Sequence, residues 1–190
     1  MPIDVKRKFD TMILKISDVI DAEWLRVSPI RVGGVPTGEG TPGCYVTVTD
    51  ADQPVLRVDV YAYGPDCFAF RDAVIWHGNL VIGFGSYVHV VPLTTYSVVT
   101  IPLGEYFSHL YPTVEYLLIA SGVRIFRLEP DCSILWKSEV LAIDGVLVHS
   151  PGPPVIRGEA EFDPPGGWRP FALSAVDGRT VASSHEMATG

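Results

Sequence analysis

The sequence is poor in cysteine, in basic residues and in long apolar runs. Its three cysteines, Cys44, Cys67 and Cys132, are widely separated, which argues against a disulfide framework and a paired Cys-x-x-Cys metal knuckle. No window approaches the ~18 apolar residues of a membrane-spanning helix. The one basic cluster, Lys6 to Lys8, is not followed by the apolar core of a signal peptide. We therefore expect a cytoplasmic protein with no membrane association.

The chain has 14 Lys and Arg residues against 22 Asp and Glu, a formal charge of -8, and no basic stripe offsets it. Because an acidic surface repels a phosphate backbone, nucleic acid is disfavoured as a partner. The five histidines show no His-x-His or His-Glu-x-x-His spacing, and no P-loop or Gly-x-Ser-x-Gly elbow occurs. The sequence therefore predicts no metal site and no cofactor.

What the sequence does contain is a long series of short β runs separated by turns, with no helical pattern between them. Such a series predicts an all-β protein, because βαβ units would need helices between the strands. We predict a single domain over residues 1–190. It comprises an ambiguous N-terminal segment and loop (1–43), a β-repeat body (44–182) and a flexible tail (183–190).

A weak internal repeat runs through the body. Leu80–Val91 and Leu117–Leu128 each place a Gly turn between two apolar strands, and Leu128–Trp136 continues the second copy with an Asp turn and a Trp. Leu173–Val181 keeps the turn but lacks the Trp. This motif resembles the strand hairpins of quinoprotein-type β-propeller blades. The resemblance implies antiparallel meanders stacked as a small or open β-propeller-like fold, with a two-sheet β-sandwich as the alternative, and it implies no activity.

Carboxylates cluster in one strand. Alternation over Arg157–Asp163 places Arg157, Glu159, Glu161 and Asp163 on one face, and Asp144 lies in a turn that could come close to them. As a catalytic group, Asp144, Glu159 and Glu161 would suit acid/base chemistry on a carbohydrate. The simpler interpretation is a solvated outer face.

The loop Asp163–Pro170 is the most distinctive segment, since its prolines restrict the backbone and it carries Trp168 and Arg169, two residue types favoured at binding hot spots. The alternative is a rigid connector whose Trp caps the core. An aromatic stretch, Gly104–Pro112, reads as a linker whose rings either fill a seam between sheets or line a groove. The predicted binding residues are Asp163, Trp168, Arg169, Tyr106 and Tyr111.

These features favour a protein-interaction module without catalytic activity, whose partner is another protein. By size and charge it is comparable to bacterial immunity proteins, which neutralise a toxin by covering it. The alternative hypothesis is a carbohydrate-active enzyme or carbohydrate-binding protein that uses the clustered carboxylates and aromatic rings. The enzyme hypothesis makes the more specific structural prediction, because it requires two carboxylates to face each other across a cleft.

Overall fold

A computed structural model describes residues 11–35, 40–64, 70–163 and 167–181 of the chain. The chain divides into two compact units, Met1–Tyr106 and Phe107–Gly190. Across the described ranges, strands predominate and the only helical element is a 3-10 helix at Ala22–Arg26; none of the helical structure there has the length and apolarity to cross a bilayer. The predicted all-β fold is confirmed, whereas the single domain over residues 1–190 stays a prediction.

The first unit contains two sheets. Its described strands are β1 (Met12–Ser17), β2 (Ile30–Gly33), β3 (Cys44–Asp50), β4 (Gln53–Tyr61), β5 (Arg71–Trp76), β6 (Asn79–Phe84), β7 (Tyr87–Pro92) and β8 (Val99–Pro102). The first sheet has the order β1-β3-β4-β2, in which β2 runs parallel to β4 and the other pairs are antiparallel. The second sheet is the antiparallel meander β5-β6-β7-β8.

Apolar residues that alternate along the strands build the core of the first unit. Strands β3 and β4 each place a polar residue between two fully buried valines. These valines are Val46 and Val48 in β3, and Val58 and Val60 in β4. They pack against one face of β6 and its neighbours in the second sheet. Full burial of each such side chain contributes about 1.5 to 3 kcal/mol, which is why these two sheets stay together.

The second unit also contains two sheets. Its described strands are β9 (Phe107–Pro112), β10 (Leu117–Ser121), β11 (Ile125–Leu128), β12 (Ile134–Lys137), β13 (Val146–Ser150), β14 (Val155–Glu161) and β15 (Trp168–Ser174). The third sheet is the meander β9-β10-β11-β12, and the fourth is the meander β13-β14-β15. An antiparallel bridge between Leu173 and Thr180 extends the fourth sheet beyond β15. These meanders confirm the predicted antiparallel pairing of successive short strands.

The interpretation of Gly104–Pro112 as a linker is wrong for most of its length, because residues 107–112 form β9. The turn after β9 explains the difference. Thr113 Oγ1 accepts hydrogen bonds from the backbone N–H groups of Glu115 and Tyr116 at 3.2 and 3.0 Å, and this closes a tight turn that returns the chain alongside β9 as β10.

The Asp turns of Leu128–Trp136 and Leu173–Val181 are built from the same chemistry. The carboxylates of Asp131 and Asp177 each accept a hydrogen bond from the backbone N–H two residues later, at 2.9 and 3.3 Å. Trp136, which follows the Asp131 turn, is buried and donates its indole N–H to Ala175 O at 3.1 Å. Its ring lies against Gly178. These two turn segments are therefore held together within the second unit.

Most of the residues that the apolar runs assign to the core are buried, namely Ile82, Val88, Val90, Leu118, Ile119, Ile125 and Phe126. Leu135 is the exception, with 54% of its surface exposed. It lies on β12, an edge strand of the third sheet, and successive side chains of a strand point to opposite faces. Its neighbour Trp136 takes the core-facing position, so Leu135 points outward.

Candidate functional site

The hairpin of β14 and β15 carries most of the predicted site residues. The strand register places Glu161 directly opposite Trp168. Trp168 and Arg169 therefore begin strand β15. The prediction that Asp163–Pro170 forms a loop is wrong for these two residues. The loop itself is shorter than expected, and its residues 164–166, which include two of the prolines, lie outside the described residues.

Strand β14 alternates between two faces, as its sequence predicted. Ile156, Gly158 and Ala160 are buried, whereas Arg157 and Glu159 are exposed. Ile156 and Ala160 belong to the core cluster of the second unit. We call the opposite side of the fourth sheet the outer face. Because directly paired residues of antiparallel strands share a face, Glu161 and Trp168 lie together on it.

Trp168 is neither a core residue nor a loose surface side chain. It retains 38% of its exposure and is not a member of the core cluster of the second unit. Its indole ring packs over Gly145, where an added Cβ would lie 2.8 Å from Cη2 of the ring and 3.5 Å from Oε2 of Glu161. The absence of a side chain at Gly145 therefore makes room for the ring, which reaches across β14.

Further exposed apolar groups surround the backbone of Glu161. Ile143 donates its N–H to Glu161 O at 2.7 Å and is 63% exposed, and Phe162 follows in the chain and is 39% exposed. The guanidinium carbon of Arg169 lies 5.1 Å from the centroid of the Phe162 ring, within the range of a cation–π interaction. We call the group Ile143, Glu161, Phe162, Trp168 and Arg169, at the end of the hairpin, the Trp168 surface. Arg169 pairs with Ala160, so Arg169 and the Phe162 ring that it contacts lie on the other side of the hairpin from Glu161 and Trp168.

Two members of the Trp168 surface, Ile143 and Phe162, were not among the predicted site residues. Phe162 was expected on the opposite face of the strand from Glu161, and the end of the hairpin leaves that position partly open. For Ile143 the only signal in the sequence is its place beside the Asp144-Gly145 turn. Its position next to Glu161 depends on a backbone hydrogen bond that no local pattern encodes.

The three carboxylates considered for catalysis lie on β14 and just before β13. Glu159 and Glu161 stand two residues apart on one strand, and Asp144 precedes Gly145, whose carbonyl accepts a hydrogen bond from Glu161 N at 2.9 Å. Glu159 Oε2 is 3.3 Å from His149 Nε2. Glu159 and Glu161 are thus neighbours on one surface and not opposed across a sugar. Among the described residues, no set of three or more His, Cys, Asp or Glu could hold a metal ion.

The remaining predicted binding residues lie elsewhere. Tyr111, on β9 in the second unit, is half-buried, and its hydroxyl accepts a hydrogen bond from Val148 N at 3.2 Å. That contact ties β9 to β13. Tyr106 belongs to the first unit, where its ring stacks on Phe70 with centroids 6.1 Å apart. The structure brings Asp163, Trp168 and Arg169 to one hairpin and does not add Tyr111 to the Trp168 surface.

No protein-family model matches the chain, and no curated protein matches it. Among solved structures, the chain is similar to BamB from Moraxella catarrhalis, with 11% identity, a TM-score of 0.49 and coverage of 75% of this chain and 43% of that one. It is also similar to the WD40 domain of Neurospora crassa Pan2, with 10% identity, a TM-score of 0.47 and coverage of 73% and 45%.

The chain spans less than half the length of either of these structures. Both are β-propellers, the class that the internal repeat resembles. The architecture described above rests on the strand pairing of the chain itself.

Proposed function

We propose that this chain is a binding module for another protein and that the Trp168 surface is the contact. The observation that carries the proposal is Trp168, a large side chain that is 38% exposed and is nevertheless held in place over Gly145. Trp and Arg are enriched among the few residues that supply most binding energy at protein interfaces. Side chains that are already positioned lose less entropy when a partner binds.

The edge of β15 supports contact through side chains. Ala172 O accepts a hydrogen bond from Val181 N, and Ser174 N donates one to Arg179 O, both at 2.8 Å. The backbone groups at these alternate positions of β15 therefore point away from β14. By the same alternation, the backbone of Pro170 points away as well, and proline has no N–H to offer. An added strand would lack a ladder hydrogen bond there. The exposed rings and charges are therefore the better means of recognition.

An immunity-type role, in which the chain covers and neutralises a toxic partner, is the form of binding that its size and its charge of -8 support. The free thiols of Cys44 and Cys132 are in keeping with a reducing, cytoplasmic location. A carbohydrate enzyme built on Asp144, Glu159 and Glu161 has less support, because two of these carboxylates lie side by side on β14.

The experiment is an affinity pull-down from the native cell, followed by calorimetry on the recovered partner. The test variant is Trp168→Ala, and the matched control is Leu135→Ala, which removes another exposed apolar side chain of the second unit. We expect Trp168→Ala to weaken binding by about thirtyfold or more, the effect of losing a hot-spot residue. Leu135→Ala should bind the partner as the unchanged protein does.

Thermal melting of both variants separates binding from folding. Because Trp168 lies outside the core cluster, its variant should melt within about 5 °C of the unchanged protein. Retention of the partner by Trp168→Ala at the unchanged affinity would exclude this surface as the contact. A large drop in melting temperature would assign Trp168 to the structure of the hairpin and not to binding.

A further inference from the structure

Resting on the proposed function, we infer that the partner presents a basic segment, in which Lys or Arg stands beside an apolar residue, to the Trp168 surface. The surface combines exposed apolar side chains with an excess of negative charge in the same small region. A partner that fits it must supply both the complementary charge and an apolar anchor.

The charge excess follows from the hairpin and the turn beside it. Residues 144–169 hold four carboxylates against two guanidinium groups, namely Asp144, Glu159, Glu161 and Asp163 against Arg157 and Arg169. Arg169 already lies over the ring of Phe162. The chain as a whole carries a formal charge of -8, so its long-range field also draws cationic partners toward it.

The chemistry around Trp168 suits a cation in particular. The register sets Glu161 opposite Trp168 and Glu159 opposite Pro170, so an aromatic ring and carboxylates share the outer face. A guanidinium or ammonium group can lie against the indole ring while it forms charge-assisted hydrogen bonds with the carboxylates. The aliphatic stem of Arg or Lys can then cover apolar surface, and exposed Ile143, next to Glu161, provides it at the end of the hairpin.

Other occupants fit this face less well. A second copy that met the surface by twofold symmetry would set the same carboxylates against each other, because such an interface pairs a patch with itself. A nucleic acid would bring its phosphates to the same carboxylates, and like charges that face each other in an interface oppose binding. An acidic protein surface is disfavoured for the same reason.

The probe is a random dodecapeptide library displayed on phage, selected on the unchanged protein and counter-selected on Trp168→Ala. We expect the peptides that depend on Trp168 to be enriched in Lys or Arg next to an apolar residue. Enriched peptides that depend on Trp168 but are neutral or acidic would overturn the inference and leave the proposed function standing. If no peptide distinguishes the two proteins, both this inference and the assignment of the surface are refuted.

The charge requirement is measured on the best peptide by calorimetry at low and high salt. The variant is the double substitution Glu159→Gln and Glu161→Gln, and the control is Glu115→Gln, which removes an exposed carboxylate before β10. We expect the double variant to bind about fivefold more weakly at low salt, the effect of two exposed charge pairs, and to show a smaller salt dependence. Equal affinity and salt dependence in the double variant and the control would contradict the inference.

Discussion

The contact between Trp136 and the turn that contains Gly178 predicts how much the interlocked repeat stabilises the second unit. Gly178 has φ = +71°, and a Cβ added there would lie 2.5 Å from Cε3 of Trp136. Gly178→Ala therefore strains the backbone, at about 1 to 2 kcal/mol, and overpacks the indole, at about 1 to 3 kcal/mol. If the ring moves, the hydrogen bond to Ala175 O is lost as well, for about 1 kcal/mol.

We expect Gly178→Ala to lower the free energy of unfolding by about 2 to 6 kcal/mol in total. The assay is urea unfolding followed by circular dichroism. Gly104→Ala is the matched control, because Gly104 has φ = +85° and no neighbouring atom within 4 Å of an added Cβ. It therefore reports the backbone strain without the clash. A cost for Gly178→Ala no greater than that for Gly104→Ala would refute the interlocking of the two turns.

Two further predictions concern buried polar groups. Desolvation lowers the pKa of His89 from 6.5 to about 4. As the pH drops from 6.5 toward 4, the imidazole is therefore protonated in the unfolded chain before it is protonated in the folded one, and the folded state loses stability. Urea unfolding should show the free energy of unfolding fall by up to about 3 kcal/mol over that window. His89→Gln should flatten this dependence, and an unchanged pH profile would contradict it. Tyr111→Phe removes the acceptor of the Val148 N–H and should cost about 1 to 3 kcal/mol of stability while partner affinity stays constant; the reverse outcome would make Tyr111 a binding residue.

The strand succession could be predicted because each strand is short, apolar or alternating, and bounded by turn residues. The same alternation correctly separated Glu159 from Ala160. Alternation does not reveal which face of an edge strand packs against the core, and for that reason Leu135 was wrongly assigned to the core. Strand β2 was missed because it pairs in parallel with β4, a partner more than twenty residues away whose register no local pattern encodes.

The site was predictable in its residue types and less so in its assembly. Trp168 and Arg169 stood out because Trp and Arg are enriched at binding hot spots and here follow a proline-rich stretch of the sequence. In the sequence, Gly145 indicates only a turn. Its contact with the indole ring of Trp168 depends on the register of β13, β14 and β15. Ile143 joins the surface through one backbone hydrogen bond to Glu161, which only the folded chain shows.

The most direct test of the proposed contact is hydroxyl-radical footprinting of the four tryptophans with and without the captured partner. Trp24, Trp76 and Trp136 are at most 9% exposed, whereas Trp168 is 38% exposed, so Trp168 should dominate the oxidation of the free protein. We predict that the partner suppresses oxidation at Trp168 and leaves the other three unchanged. Equal oxidation of Trp168 in the free protein and in a saturated complex would contradict the claim that this surface binds the partner.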